Sequence, residues 1–444
     1  MHSMRSYVHA LALAGTVLLL AAGPLRAAET SGDRAEAAFR EAREYTVRIR
    51  TRIETPFLED EQGAYSGAGF LVDATRGWIV TNAHVVGRGP AEIQVAFWGE
   101  AFHPARKIYV DSFSDVAIVA VDLAHPRRAA LLDPSARPTV GEPVGAFGHP
   151  LDIPFTGTRG IVSGYTDQFG PGLLQIDATI DHGNSGGPVI ALGSGRILGI
   201  ATLGYGRLNM ATPIQDVCRI LDLLRAGAPV SPPRMGFALL KDEDGKFTLR
   251  VARSLDPARW PFEAGDRIVG LAGSSDSLKN LSDLVGVLRG RTGAVPLVVE
   301  RRSRRQTVVT HPTLRKPLLE RYGIMIDGAL LAPVDYEDEP DSPEAVRLAV
   351  HFVESASTAL SLGIQPGDIL YSVDGRRFND LEALTAYLHG RPESKPLEVV
   401  LKRSNSATTS AYDYLARTLP YEEVKTVGPV ETPAVAGRLS ARPH

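Results

Sequence analysis

Asp181-His182-Gly183-Asn184-Ser185-Gly186-Gly187-Pro188 runs straight into the apolar pair Val189-Ile190. A serine hydroxyl is a weak nucleophile until a base takes its proton. Its attack on a carbonyl also needs N–H groups aimed at the oxygen that becomes negative. Glycines on both sides of a serine let the backbone turn tightly enough for successive N–H groups to converge on one point. Ser185 is therefore a candidate nucleophile, and the amides of Gly183, Asn184 and Ser185 are a candidate oxyanion hole. Read alone, the same string also suits a glycine-rich hairpin loop.

Two upstream segments change that balance. Thr81-Asn82-Ala83-His84-Val85-Val86 follows the apolar run Trp78-Ile79-Val80, which places a histidine just past a strand end, where a general base is useful. Ser114-Asp115-Val116-Ala117-Ile118-Val119 places an aspartate at the mouth of a strand-like run, where it can hold an imidazole in one tautomer. Singly, His84 reads as a core histidine and Asp115 as a turn residue. Together, in the order His84, Asp115, Ser185 and each flanked by strand-like sequence, they point to acyl transfer by a serine nucleophile.

These three motifs, Thr-Asn-x-His-Val-Val, Ser-Asp-x-Ala and Gly-Asn-Ser-Gly-Gly-Pro, resemble those of the HtrA/Deg family of serine endopeptidases. Gly148-His149-Pro150 and Gly160-Ile161-Val162-Ser163 are similar to two further segments of that family. The resemblance implies a chymotrypsin-like double β-barrel followed by PDZ domains, with His84 as base, Asp115 as its orienter and Ser185 as nucleophile. Two departures stand out. His182 occupies a place where the family usually has Pro or Arg, and Asn209-Met210-Ala211-Thr212-Pro213 stands where it often has Gly-Phe-Ala-Ile-Pro. By the same resemblance Leu203, Asn209, Met210 and Ala211 are candidates for the primary specificity pocket. Met210 and Ala211 suggest a modest apolar pocket, which predicts cleavage after small or medium aliphatic residues.

The 444-residue chain is long enough for several domains, and its net charge of −3 lacks the basic field of a dedicated nucleic-acid binder. Its one cysteine, Cys218, lies at helical spacing with Ile214, Val217, Leu221 and Leu224 and is expected to face a core. Arg5, an apolar stretch from Val8 to Ala22 and the small residue Ala27 read as a cleaved signal peptide, with an uncleaved anchor as the alternative. Export without disulfides fits a periplasm, and membrane association after signal cleavage is not expected.

Ser31 to Glu44 reads as an amphipathic helix and Thr46 to Ile53 as a half-buried strand, with Arg48, Arg50 and Arg52 on its wet face. Pro56 to Ser66 is a polar loop, shorter than the loop with which some family members lock a resting oligomer. From Gly67 to Ile214 short apolar runs alternate with Gly, Pro and Asp, which suggests a barrel or sandwich. No histidine or cysteine spacing marks a zinc site, and no cofactor motif is present.

Past the linker Ala228–Pro233 lies an internal repeat. Ala264-Gly265-Asp266-Arg267-Ile268 aligns with Pro366-Gly367-Asp368-Ile369-Leu370, and helical stretches Leu278–Leu288 and Leu381–Leu388 follow. Each copy opens on a glycine step, Met235-Gly236-Phe237 or Tyr322-Gly323-Ile324. The pattern resembles tandem PDZ domains, in which such loops present amides to a peptide's terminal carboxylate. Closed grooves acting as spacers are the alternative. The acid-rich stretch Asp335–Asp341 lacks the regular spacing of an EF-hand and reads as a solvated insertion. Glu300–Arg305 reads as an exposed hairpin turn.

The expected architecture is mainly β: signal peptide 1–27, protease domain 28–228, PDZ domains 234–312 and 318–420, and a disordered tail 421–444. The expected function is an exported, ATP-independent endopeptidase for unfolded or misfolded envelope proteins. It would act as a homotrimer or higher multiple, with peptide C-termini binding the PDZ domains. The competing class is a chaperone or scaffold with a protease fold held inactive.

Overall fold

In the computed structural model the described residues are 31–429, except 168–171, 206–207, 244–246, 276, 336–345, 379, 393–394, 405–411 and 423. The expected signal peptide and most of the acidic insertion lie outside the described residues. Helix α1 (Ser31–Tyr45) buries Ala35, Ala38, Ala42 and Tyr45 along one stripe and leads directly into β1 (Thr46–Ile53). In β1 Val47, Ile49 and Ile53 are buried while Arg50 and Arg52 are exposed, as the alternation requires.

Strand β1 continues with β2 (Gly63–Asp73), β3 (Trp78–Thr81), the one-turn α2 (Ala83–Val86), β4 (Glu92–Phe97), β5 (His103–Asp111) and β6 (Val116–Ala120). The strands close into a barrel in the order β1-β2-β3-β6-β5-β4. A second barrel, ordered β10-β11-β12-β9-β8-β7, comes from β7 (Pro143–Gly148), β8 (Thr156–Thr166), β9 (Leu173–Ile176), β10 (Pro188–Ala191), β11 (Ile197–Tyr205) and β12 (Leu208–Pro213). Closure leaves neither sheet with a free edge. Helix α3 (Ile214–Arg225) follows, with Ile214, Val217, Ile220 and Leu221 buried and Cys218 half-buried beside them. Burial raises the Cys218 thiol to about 11, which makes it an inert apolar group.

Two smaller modules complete the chain. Strand β13 (Pro233–Arg234) opens the first, whose sheet is built from β14 (Phe237–Lys241), β15 (Phe247–Ser254), β16 (Arg267–Leu271), β17 (Val295–Arg301) and β18 (Arg304–Thr310), in that order. Helix α4 (Leu281–Leu288) packs on it, and β19 (Thr313–Leu314) closes the module against β13. The basic run is the β17–β18 hairpin turn, with Arg302 and Ser303 both at positive φ (51° and 63°), as a two-residue turn demands.

The second module comprises β20 (Gly323–Ile326), β21 (Ala329–Asp335), β22 (Val346–Val353), α5 (Thr358–Ser361), β23 (Ile369–Val373), α6 (Leu381–His389), β24 (Leu397–Ser404), β25 (Tyr412–Leu419) and β26 (Val424–Val427). Its sheet runs β25-β24-β23-β22-β21-β20-β26.

The repeat extends to individual hydrogen bonds. Asp266 and Asp368 are both buried. Arg301 grips Asp266 with two bonds of 2.6 Å, and Arg403 grips Asp368 at 2.6 and 2.7 Å. Both arginines lie thirty-five residues after their aspartates. A bidentate guanidinium pair of this kind fixes orientation as well as charge. Helices α4 and α6 are likewise both N-capped, by Asn280 and Asp380.

The tail departs from expectation. Val424–Val427 is an ordered strand that pairs antiparallel with β20, Gly323 opposite Val427 and Ile324 opposite Thr426. The tail is drawn in because β20 would otherwise leave a row of backbone groups without ladder partners.

Candidate active site

The strand order of each barrel brings His84, Asp115 and Ser185 to one seam. His84 sits on α2 at the end of β3, Asp115 in the turn between β5 and β6, and Ser185 in the loop before β10. The barrels meet at the serine itself, where the Ala68 N–H donates to the Ser185 carbonyl at 2.8 Å.

Asp115 is held from several sides. It has a left-handed backbone, φ 51°, which short polar side chains tolerate best. Its carbonyl accepts from the Asn82 side chain at 2.8 Å and from the Ala83 N–H at 3.2 Å. Its carboxylate Oδ1 accepts from the His84 backbone N–H at 3.0 Å, and Oδ2 lies 2.7 Å from His84 Nδ1. The Thr202 hydroxyl donates to the same Oδ2 at 2.8 Å. Burial pushes the Asp115 carboxyl up, but the hydrogen bond and charge of His84, helped by Thr202, outweigh burial and hold it below its ordinary value. An ionised Asp115 fixes the proton of the imidazole on Nδ1 and leaves Nε2 as the basic nitrogen.

Thr202 carried no assigned role in the sequence. It is the bulged residue of β11: Ala201 pairs with Ala211 and Leu203 with Met210, which leaves Thr202 outside the ladder. A bulge re-aims the groups it frees. The Thr202 side chain reaches Asp115 across the seam, and its carbonyl accepts the Ser185 hydroxyl at 3.2 Å. Among the described residues the Ser185 hydroxyl makes no hydrogen bond to His84.

Behind Ser185 the loop geometry is set by Gly183, whose φ is 101° and where a Cβ would come within 2.1 Å of the His149 carbonyl oxygen. The His182 carbonyl accepts from Leu151 N–H at 2.9 Å. The peptide group is trans and planar, so this bond turns the Gly183 N–H the opposite way. The N–H groups of Gly183 and Ser185 have no partner among the described residues. The Asn184 N–H, by contrast, is taken by the Asp181 carbonyl at 2.9 Å. Asn184 therefore closes the loop and has no backbone donor to spare, a correction to its place in the expected oxyanion hole. No cluster of His, Cys, Asp and Glu among the described residues could hold a metal ion.

Residues 67–200 match the trypsin-like peptidase domain family. A probable periplasmic serine endoprotease, DegP-like, of Halomonas elongata is 30% identical over 367 residues, covering 76% of each chain. A protein of the same description from Pseudomonas fluorescens is 26% identical over 400 residues, covering 82% of this chain and 83% of its own. This chain belongs to the HtrA/DegP family of serine endoproteases. The fold agrees: the solved structure of the HtrA-type protease AlgW with tripeptide superposes with a TM-score of 0.51 at 22% identity, covering 64% of this chain and 98% of that one.

The remaining site residues of this HtrA/DegP-family chain fall as follows. Met210 and Ala211 are fully buried, with Ala211 in the core of the second barrel, and Asn209 is half-buried opposite Gly204. The Leu203 side chain lies outside the described residues. Gly236 presses against Trp260, whose ring a Cβ would meet at 2.4 Å, and its carbonyl accepts from Leu255 and Asp256. Met235 and Phe237 pack into the first module's core. Beyond them β14 is an outer strand of its sheet, paired with β15 alone. Tyr322 packs on the second module's core, whereas Gly323 and Ile324 belong to β20, which is paired on both sides.

Proposed function

We propose that this chain is an exported, ATP-independent serine endopeptidase that degrades unfolded or misfolded proteins of the periplasm. His84 acts as general base through Nε2. Asp115 steadies the imidazolium that forms, and Ser185 attacks the peptide carbonyl. The N–H groups of Gly183 and Ser185 receive the oxyanion, and water then releases the acyl-enzyme. The observation that carries this reading is the His84–Asp115 bond of 2.7 Å beside two unengaged amides at one loop. In this mechanism the Ser185 hydroxyl exchanges the Thr202 carbonyl for His84 Nε2 as its acceptor.

The two modules are read as PDZ domains, and β14 of the first offers the edge on which a chain's C-terminus can add as a strand. Assembly as a trimer or a multiple of trimers is the expected working form. No cofactor is required by this chemistry. Leu203, Asn209, Met210 and Ala211 remain the proposed surroundings of the specificity pocket.

The second reading, a chaperone or scaffold at rest, draws on the Ser185 hydroxyl being engaged by Thr202. The test compares the mature chain with Ser185→Ala on an unfolded protein substrate, with fluorophosphonate labelling alongside. Cleavage and labelling lost only in the variant support the peptidase. Suppressed aggregation of the substrate, without cleavage by either protein, supports the resting scaffold.

A further inference from the structure

Phe57 is fully buried, although it belongs to the loop between β1 and β2 that composition marks as polar. Its ring is enclosed by Met325, Leu330 and Ala332 of the second module, with Val427 of β26 at the margin. The same ring packs on Gly89, where a Cβ would come within 2.5 Å of it. One side chain thus joins the second module to the segment that leaves α2, the element carrying His84.

The residues that follow extend the join. The Leu58 N–H donates to His351 Nδ1 at 3.2 Å, and Arg321 pairs with Glu59 at 2.9 Å while its guanidinium covers the Phe57 ring. Asp60 is almost wholly buried. It accepts from the N–H groups of Arg88 and Gly89 at 2.6 and 3.0 Å and pairs with the Arg88 guanidinium at 3.2 Å. The Glu59 carbonyl takes a further bond from Arg88 at 3.1 Å. These bonds hold the Arg88 guanidinium with its other terminal nitrogen 3.8 Å from Asp115 Oδ1.

We infer that Arg88 is a positioning residue for the reaction: held by Asp60 and by the second module's grip on Phe57 to Glu59, its guanidinium shares the charge of Asp115 and so sets the basicity of His84. The inference rests on the reading of His84, Asp115 and Ser185 given above. A cation beside Asp115 opposes the gain of a second positive charge on His84, so its removal makes the imidazole more basic. Other charged and titratable groups among the described residues stand around this contact, Glu59, Arg321 and His351 at the second module's seat among them. Asp60, Glu61 and Tyr65 come from the β1–β2 hairpin, Lys107 stands behind Gly87 and Gly89, and Arg289 and Asp111 flank the far side of the Asp115 turn. None of these replaces Arg88 at the Oδ1 side.

The test is the pH profile of kcat/KM for the full mature chain, whose acid limb reports the base of the free enzyme. In Arg88→Gln the acid limb should move up by about 0.5–1 pH unit, and Arg88→Lys should restore most of the shift. Phe57→Ala and the milder Glu59→Gln keep the Arg88 side chain but loosen the loop that holds it, and should move the limb the same way by less. A loss of folded protein that does not vary with pH scales the rate without moving a limb, so circular dichroism over the same pH range accompanies the profile of Phe57→Ala, and the limb is read only where the folded fraction is constant. A lower rate with an unmoved limb in Arg88→Gln overturns the inference. So does a limb that moves in Arg88→Gln but in neither loop variant. If cleavage by the parent chain survives Ser185→Ala, the reading of the site falls first and this inference with it.

Discussion

The two C-terminal modules repeat one pattern of hydrogen bonds, yet they grip the protease domain by different physics. The first reaches in with Arg289, at the end of α4. Its guanidinium pairs with Asp111 at 2.5 Å with both side chains almost wholly buried, and it bonds the hydroxyls of Tyr109 and Ser114 at 2.8 and 3.3 Å. The second offers an apolar seat for Phe57 and a half-exposed pair, Glu59–Arg321. Both grips end beside Asp115, one through Ser114 and the other through Arg88. Their sheet edges differ as well: β14 has a neighbour on one side only, whereas β20 is covered by β26. A duplicated fold therefore does not imply a duplicated role. The first module combines a buried ionic mount with an open edge at β14, and the second combines an apolar seat with a covered β20.

The sharpest way to break this comparison is Arg289→Met. It leaves Asp111 buried without its cation, at a cost of about 3–5 kcal/mol, well above the effect of cutting the half-exposed Glu59–Arg321 pair with Glu59→Gln. Urea unfolding of the two variants checks the order. Equal losses would mean that the two mounts are alike.

Asp216, on α3 beneath α4, sharpens the same contact. The Ser282 hydroxyl of α4 donates to it at 2.9 Å. Burial raises its carboxyl from 3.8 to about 6 against the pull of Ser282 and Arg289. The folded chain thus keeps a proton there that the unfolded chain has lost. The favourable contribution is complete below about pH 4 and fades as pH rises through 6. Asp216→Asn should stabilise the chain by roughly 3 kcal/mol at pH 8 and by almost nothing at pH 4. Thermal unfolding across that range decides; a gain that does not vary with pH would exclude the carboxyl as its source.

The smallest effect expected is local. Ending the chain at Glu422 removes β26 and opens β20. Amide exchange at Gly323–Ile326 should rise while the first module's strands stay protected. A C-terminal peptide should then bind at two sites where the full chain binds it at one, as titration calorimetry would count. One site in both proteins would show that the covered edge is not the reason for the difference.

Much of this was legible in the chain. The alternation of β1, the helical stripe of α1, the hairpin turn at Arg302-Ser303 and the two Gly-Asp steps are local patterns, and the structure forms them where the patterns lie. His84, Asp115 and Ser185 were legible because strand ends and glycine loops flank them. Thr202 was not, since its role comes from a bulge and depends on which residues of β11 and β12 happen to pair. Asn184 was grouped with Gly183 and Ser185 as a donor because the three are adjacent, whereas the Asp181 carbonyl takes its N–H. The tail looked disordered because Pro, Ala and Gly dominate its end, while the four residues that form β26 have no strand partner nearby in sequence.

What the sequence by itself determined is the mainly β architecture, the duplication after the linker and the three residues at the barrel seam. All of these rest on spacings of a few residues that chain geometry converts directly into faces and turns. What only the tertiary structure decided is how the modules hold the seam. Arg289 meets Asp111, Phe57 meets Met325 and Arg88 meets Asp115 because separate sheets bring them together, and the burial that makes such meetings count exists only once the chain has closed around them.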